Sequence, residues 1–274
     1  MQLRDLGEFG LIARIERAAR AAGAVRSRGV VLGIGDDAAI LRARPGEDWV
    51  VTTDAMVEGV HFRWETQSAH CIGRRALVAN LSDLAAMGAR PLGFALALAL
   101  PPGLALRRID GLIAGMLAEA VRHRCPLIGG NVTRARQTSL TIAAQGAVER
   151  GRALTRSGAR AGDRIFVTGA LGASALELAR SRAGLGRIRS VPTPRLRAGR
   201  ALASLPGVGA CIDVSDGLLA DLAHLLERSG CSARLDVERV PRPPRFDAAC
   251  HRLGLDPVEL ASRGGEDYEL LFTL

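Results

Sequence analysis

The chain has 274 residues, enough for one large domain or two modest ones with a sizeable core, and its 48% hydrophobic content is that of a globular rather than a disordered protein. Its formal net charge of +9 is carried by arginine alone, since the sequence contains no lysine, which excludes a Walker A loop and the strand lysine of protein kinases. The arginines are scattered rather than gathered in one run, which argues against nucleic acid, and no window reaches the roughly 18 apolar residues of a membrane span.

In chain order, residues 8–22 carry Phe9, Ile12, Ile15, Ala19 and Ala22 at helical spacing, with arginines on the other face. Polar residues at the start, Gln2, Arg4, Asp5 and Glu8, do not make a signal peptide, and a cytoplasmic protein is expected. Short β-branched segments at 30–34, 38–41 and 49–53 predict strands. A long helix follows over 69–87, ended by Gly88 and Pro91, then a strand at 93–100, a helix at 107–122 and a strand at 140–148. Around 151–163 the composition turns to Arg, Gly and Ser, a linker signal. Beyond it the pattern predicts strands at 164–168, 209–214, 233–237 and 268–274 and helices at 174–181, 195–204 and 218–227. Two mixed domains, α/β or α+β, are therefore expected over 1–150 and 151–274. The last strand stops with no polar tail, so the C-terminal domain reads as incomplete. Five widely spaced cysteines, Cys71, Cys125, Cys211, Cys231 and Cys250, form no CxxC pair and read as small buried hydrophobes.

The informative residues are acids in apolar or glycine-rich settings. Asp36 and Asp37 follow Gly33-Ile34-Gly35, where adjacent carboxylates repel unless a cation lies between them; a solvated turn is the alternative. Thr52-Thr53-Asp54 ends a predicted strand with three hard oxygen ligands and leads into Val57-Glu58-Gly59-Val60-His61-Phe62. Asp83 sits in Asn80-Leu81-Ser82-Asp83, within an apolar helix where a carboxylate is costly to bury alone; a partly exposed Asp near the helix end is the alternative. Ile212-Asp213-Val214-Ser215-Asp216-Gly217 places two acids between a strand and a helix; Asp216 reads equally as an N-cap, Asp213 does not. Gly264-Gly265-Glu266-Asp267-Tyr268 puts acids directly after a glycine pair. Oxygen ligands at element ends, with no Cys or His cluster, point to Mg²⁺, and several Mg²⁺ ions most often accompany polyphosphate. Glycine loops are expected at Ile128-Gly129-Gly130-Asn131 and Thr168-Gly169-Ala170-Leu171-Gly172-Ala173-Ser174; the latter is either a phosphate cradle or a tight strand-to-helix turn.

These motifs, together with Leu84-Ala85-Ala86-Met87-Gly88, Arg152-Ala153-Leu154-Thr155-Arg156-Ser157-Gly158-Ala159 and Glu269-Leu270, occur in one order along nearly the whole chain. In that order the sequence resembles the thiamine-monophosphate kinase family, of the aminoimidazole ribonucleotide synthetase-like ATP-binding superfamily. The resemblance implies a two-domain fold with an N-terminal sheet domain that pairs two subunits into a homodimer, and a C-terminal α/β domain. It implies that Asp37, Thr52, Thr53, Asp54, Asp83 and Asp213 bind Mg²⁺, with Asp216 at a further ion. Gly130, Asn131, Arg156 and Ser215 would touch ATP, and His61 and Glu266 would touch thiamine monophosphate. The implied reaction is in-line transfer of the γ-phosphoryl group to thiamine monophosphate, with no residue assigned a covalent role. The alternatives are a catalytically weakened nucleotide-binding relative and another ATP-using enzyme of the superfamily.

The chain departs from the family pattern at three places. Asn131 stands where Asp is usual, keeping an oxygen at that metal position but losing a charge. Ser190-Val191-Pro192-Thr193-Pro194-Arg195 replaces a motif that often begins with His. Family members also continue beyond the position of Leu274, and that tail adds an aromatic contact to the substrate.

Overall fold

The computed structural model describes residues 3–25, 29–33 and 38–274. The chain divides into two compact units, one of residues 1–81 and 91–147 and the other of residues 82–90 and 148–274. No described helix is long and apolar enough to cross a membrane.

In the first unit, α1 (Leu3–Ala21) is interrupted at Gly7. A small antiparallel pair follows, β1 (Val30–Leu32) with β2 (Ile40–Leu41). Strand β3 (Glu47–Val57), helix α2 (Ala69–Ala86), strand β4 (Arg90–Leu100), helix α3 (Leu106–His123) and strands β5 (Leu127–Arg134) and β6 (Ser139–Glu149) complete it. The four strands form one sheet in the order β3-β6-β4-β5, with β4 and β5 parallel. Helices α2 and α3 pass each other backbone to backbone: a Cβ on Gly73 would lie 1.9 Å from the Leu112 carbonyl oxygen, and one on Gly115 2.0 Å from that of His70. Leu77, Leu81, Phe94, Leu98, Ile109, Leu112 and Met116 are fully buried, so these helices and β4 supply the core.

The second unit holds β7 (Ile165–Val167), α4 (Ala173–Arg182), α5 (Leu196–Ser204), β8 (Cys211–Asp213), α6 (Leu218–Ser229), a 3₁₀ turn (Val237–Arg239), α7 (Phe246–His251), α8 (Pro257–Arg263) and β9 (Leu270–Thr273). Its sheet runs β7-β9-β8, both pairs antiparallel. Ile212, Val214, Leu218, Leu222, Leu225, Phe246 and Leu271 form its core. The C-terminal turn of α2 belongs here, and α5 packs on it so closely that a Cβ on Gly199 would lie 1.9 Å from the Ala85 carbonyl oxygen.

Three expectations are corrected. Gly129 and Gly130 are not a loop but part of β5, where Gly130 pairs with Leu96 and a Cβ would come within 2.0 Å of the Leu96 carbonyl oxygen. Asp54 does not end its strand, because β3 continues to Val57. The strand expected at 233–237 does not form: residues 233–236 are irregular and, with β7, line a cavity of about 770 Å³, and Val237 opens the 3₁₀ turn. The segment's alternating pattern finds no ladder partner, and an unpaired strand has nothing to satisfy its backbone.

Candidate functional site

In the second unit, β8 ends on Asp213, which pairs with Leu270 of β9. Asp213 is 4% exposed, and its Oδ2 accepts a 2.7 Å hydrogen bond from the Ser82 hydroxyl, itself fully buried. Asp83, the next residue on α2, is half-buried. Burial pushes the Asp213 carboxyl up to about 7; the Asp83 charge adds to this, the Ser82 bond opposes it, and the Asp221 charge adds again. Two carboxylates held close, one of them out of water, stay ionised together only with a cation beside them. The donors are hard oxygens, which suits Mg²⁺, so the residues present fit that ion.

The turn after β8 is organised by a residue that sequence reasoning did not single out. Asp221, buried in the first turn of α6, accepts hydrogen bonds from the backbone N–H groups of Ser215, Asp216 and Gly217 at 3.0, 3.1 and 3.1 Å. The capping alternative for Asp216 is not realised, because Gly217 is the N-cap and no side chain caps the helix. Asp216 is left exposed and Ser215 half-buried, their backbones fixed from behind.

Glu266 meets the same turn. Its N–H donates to the Ser215 carbonyl at 2.7 Å, and the Tyr268 N–H donates to the Val214 carbonyl at 2.9 Å. A Cβ on Gly265 would lie 2.3 Å from the Ser215 carbonyl oxygen, which is why this position is glycine. Thus Asp213, Ser215, Asp216 and Glu266 come from two distant motifs joined by backbone hydrogen bonds.

The remaining acids of 264–270 hold structure. The buried Asp267 accepts from the N–H groups of Gly172 and Ser174 at 2.6 and 3.1 Å. Its carboxylate therefore occupies the start of α4, and the 168–174 glycine segment is a tight turn with its own anion. The buried Glu269 accepts from Arg195 Nε at 2.5 Å, from Arg195 Nη2, and from the Thr168 hydroxyl at 2.6 Å. The Pro192-Thr193-Pro194-Arg195 motif is thereby tied to the C-terminal strand.

In the first unit, strand alternation puts Thr52 and Asp54 on one face of β3 and Thr53 on the other, with Trp49 and Val51. Asn131 is exposed on the edge strand β5, opposite Ala97. His61 is exposed, and its Nδ1 accepts a 3.1 Å hydrogen bond from the Val57 N–H, which leaves the proton on Nε2. The Glu58 N–H donates to the Thr138 carbonyl at 2.9 Å, and Glu58 Oε2 accepts from the Thr138 N–H at 3.2 Å, so the 57–62 turn is pinned to the turn before β6. Arg156 is exposed in the second unit, its carbonyl accepting from the Ser229 hydroxyl. Asp36 and Asp37 lie outside the described residues. Among the described residues no group of three or more His, Cys, Asp or Glu side chains is close enough to hold a metal by itself. Hydroxyls, carbonyls and phosphate oxygens would have to complete any coordination shell.

The chain is similar to known proteins along both units. Residues 35–148 match the AIR synthase related protein, N-terminal domain, and residues 160–266 match its C-terminal domain. Thiamine-monophosphate kinase of Salmonella typhimurium is 39% identical over 280 residues, covering 98% of this chain and 82% of that protein. The crystal structure of thiamine-monophosphate kinase from Stenotrophomonas maltophilia is 42% identical with a TM-score of 0.84, covering 98% of this chain and 86% of that one. AaThiL complexed with AMPPCP and TMP is 31% identical with a TM-score of 0.78, covering all of this chain and 86% of that one. With both domains matched and identity sustained along nearly its whole length, the chain belongs to the thiamine-monophosphate kinase family.

Proposed function

We propose that the chain transfers the γ-phosphoryl group of ATP in line to thiamine monophosphate, giving thiamine diphosphate and ADP. The observation that carries this reading is the buried Asp213 beside Asp83, a pair of carboxylates that calls for a divalent cation in a chain without lysine. The ligand pair of AaThiL, AMPPCP and TMP, supports the choice of co-substrate and acceptor.

Asp83, Asp213 and Asp216 of the second unit and Thr52, Asp54 and Asn131 of the first are the residues whose side chains would hold Mg²⁺, with Asp37 as a further ligand; Thr53, on the opposite face of β3, would reach an ion only through its backbone carbonyl. Bound Mg²⁺ neutralises phosphate oxygens and so stabilises the charge that develops during transfer. Ser82 orients the Asp213 carboxylate, and Asp221 fixes the turn that presents Ser215 and Asp216. Gly130, Asn131, Arg156 and Ser215 would contact the nucleotide, Arg156 supplying positive charge in place of lysine. His61, with Nε2–H directed away from its own backbone bond, would donate to the acceptor phosphate, and Glu266 would meet the thiamine moiety. The acceptor is already a phosphate anion, so positioning and charge neutralisation supply the catalysis.

The domain limits 1–150 and 151–274 belong to this reading. So does a homodimer formed through the N-terminal sheet, supported by Trp49 and Val51, 45% and 66% exposed on the edge strand β3.

The test is an assay with ATP, Mg²⁺ and thiamine monophosphate. Thiamine diphosphate and ADP should form in equal amounts, dependent on Mg²⁺. ATP hydrolysis indifferent to thiamine monophosphate would overturn the reading.

A further inference from the structure

The second unit carries an arginine-walled groove that plays no part in the chemistry above. It is a cavity of about 710 Å³, bounded on one side by α4 and the 183–190 segment and on the other by 243–252. Arg180, Arg187 and Arg189 stand on the first wall, Arg245 and Arg252 on the second. Arginine is more than twice as frequent in this lining as in the chain at large, so the general arginine bias does not account for it. Leu185, 57% exposed, and part of Leu176 supply apolar surface within the same lining, which the buried Phe246 backs from the core.

The one acid in the lining is already engaged. Glu177 accepts from the Arg189 N–H at 2.8 Å and the Ser190 N–H at 3.1 Å, and from the Ser190 hydroxyl. It pins the segment that carries Arg187 and Arg189 to α4, and its carboxylate leaves the groove net positive. Arg245 heads α7 in a left-handed conformation, φ 62°, which is strained for a residue with a side chain.

A second observation points to an acceptor. Beside the groove lies a smaller cavity of about 390 Å³ that shares Pro243, Arg245 and Phe246 with it and adds Arg242. Arg242 Nε pairs with Asp247 at 3.1 Å, but Arg242 Nη1 is buried with no hydrogen-bond partner among the described residues. A buried guanidinium N–H without an acceptor is unfavourable, and a phosphate oxygen is the acceptor its geometry suits best.

We propose that this groove binds a phosphate ester carrying a planar ring, the phosphate bridging the two arginine walls and the ring lying against the exposed Leu185. Its volume is that of small-molecule pockets, and arginine pairs with phosphate in bidentate fashion while apolar surface takes the ring. The site is separate from the acids of β8 and the 264–270 motif, and its occupancy does not depend on the kinase reading.

The experiment uses flavin mononucleotide as probe, followed by fluorescence polarisation on the full chain with Mg²⁺ and saturating AMPPCP. Riboflavin, without phosphate, and inorganic phosphate, without a ring, are the component arms. Flavin mononucleotide should bind at least about tenfold more tightly than either. The variant Arg189→Ala with Arg245→Gly removes one charge from each wall. Arg189 is anchored through its backbone and glycine accepts the φ of Arg245, so the fold is kept. Binding should weaken about tenfold or more. A second pair, Arg180→Gln with Arg252→Gln, gives the same reading should the first fail to fold. Arg107→Gln with Arg136→Gln, exposed in the first unit, should leave binding unchanged. No measurable binding, equal binding of riboflavin, displacement by AMPPCP, or equal weakening by the control pair would each overturn the proposal.

Discussion

Ser82 and Asp213 are 131 residues apart in sequence, yet the Ser82 hydroxyl donates to the Asp213 carboxylate at 2.7 Å with both side chains buried. This bond joins the last turns of α2 to the end of β8 and holds a carboxylate where ionisation is costly.

The pH dependence of the metal-free protein follows from that cost. Asp213 titrates near 7 when folded, above the ordinary carboxylate value of about 4. Its contribution to stability is therefore full below about pH 4 and is lost as pH rises through 7. Asp213→Asn keeps an oxygen for Ser82 and removes the charge. Without metal, the variant should match wild type near pH 4 and exceed it at pH 8 by about 1–3 kcal/mol. Mg²⁺ should raise the wild-type melting temperature at pH 8 by more than it raises that of the variant. A wild-type-to-variant gap that is the same at both pH values would show that Asp213 is not held uncharged by its surroundings.

Asp54 is exposed on β3, so Asp54→Asn should leave the melting temperature within about 1 °C of wild type. Phosphoryl transfer should fall by about 10³-fold, because a metal-facing charge is lost. Near-normal turnover at saturating Mg²⁺ would remove Asp54 from the metal set.

Asn131 offers the opposite change. Asn131→Asp adds a charge to an exposed position on β5, and the half-saturating Mg²⁺ concentration should fall about threefold to tenfold. If that concentration does not fall, Asn131 is not at a metal.

The fold was largely readable where periodicity is long. The helix expected at 69–87 is Ala69–Ala86, and that expected at 107–122 is Leu106–His123. Glycine misled at 129–130, because a close strand–strand approach selects it as strongly as a loop does. Helix α7 has six residues, too few to show a period. Helix α8 is short too, but Asp256 capping ahead of Pro257 marks its start in the sequence. Asp213 stood out because an acid at a strand end has no local excuse. Asp267 and Glu269 did not, because their partners, Gly172, Ser174, Thr168 and Arg195, are brought to them only by the sheet.

Arg195 and Glu269 form a half-buried ion pair in which the carboxylate is buried and the guanidinium about one-third exposed. Glu269→Gln leaves Arg195 and the Thr168 hydroxyl poorly matched and should destabilise the second unit by about 1–3 kcal/mol. Restoring the balance with Arg195→Gln in the same chain should recover part of it, as read by urea titration. Independent, additive losses in the double variant would show that the pair is not coupled.

Asp221 has the strongest claim to a role that local sequence disguises. An acid in the first turn of an amphipathic helix ordinarily serves the helix dipole, and nothing in Gly217-Leu218-Leu219-Ala220-Asp221 says otherwise. In the structure its Oδ2 collects three consecutive N–H groups, those of Ser215, Asp216 and Gly217. Burial pushes its carboxyl up, against the pull of these bonds. Asp221→Ala leaves three donors unmatched and should cost about 2–4 kcal/mol. Asp221→Asn keeps one acceptor oxygen in place and should cost less. Because the turn carries Ser215 and Asp216, both variants should also change catalysis: the KM for Mg-ATP should rise by about tenfold or more in Asp221→Ala and by less in Asp221→Asn. A purely structural residue would lower the folded fraction without moving KM. Steady-state kinetics well below the melting temperature separates the two, and an unchanged KM in Asp221→Ala would leave Asp221 as a stabilising residue alone.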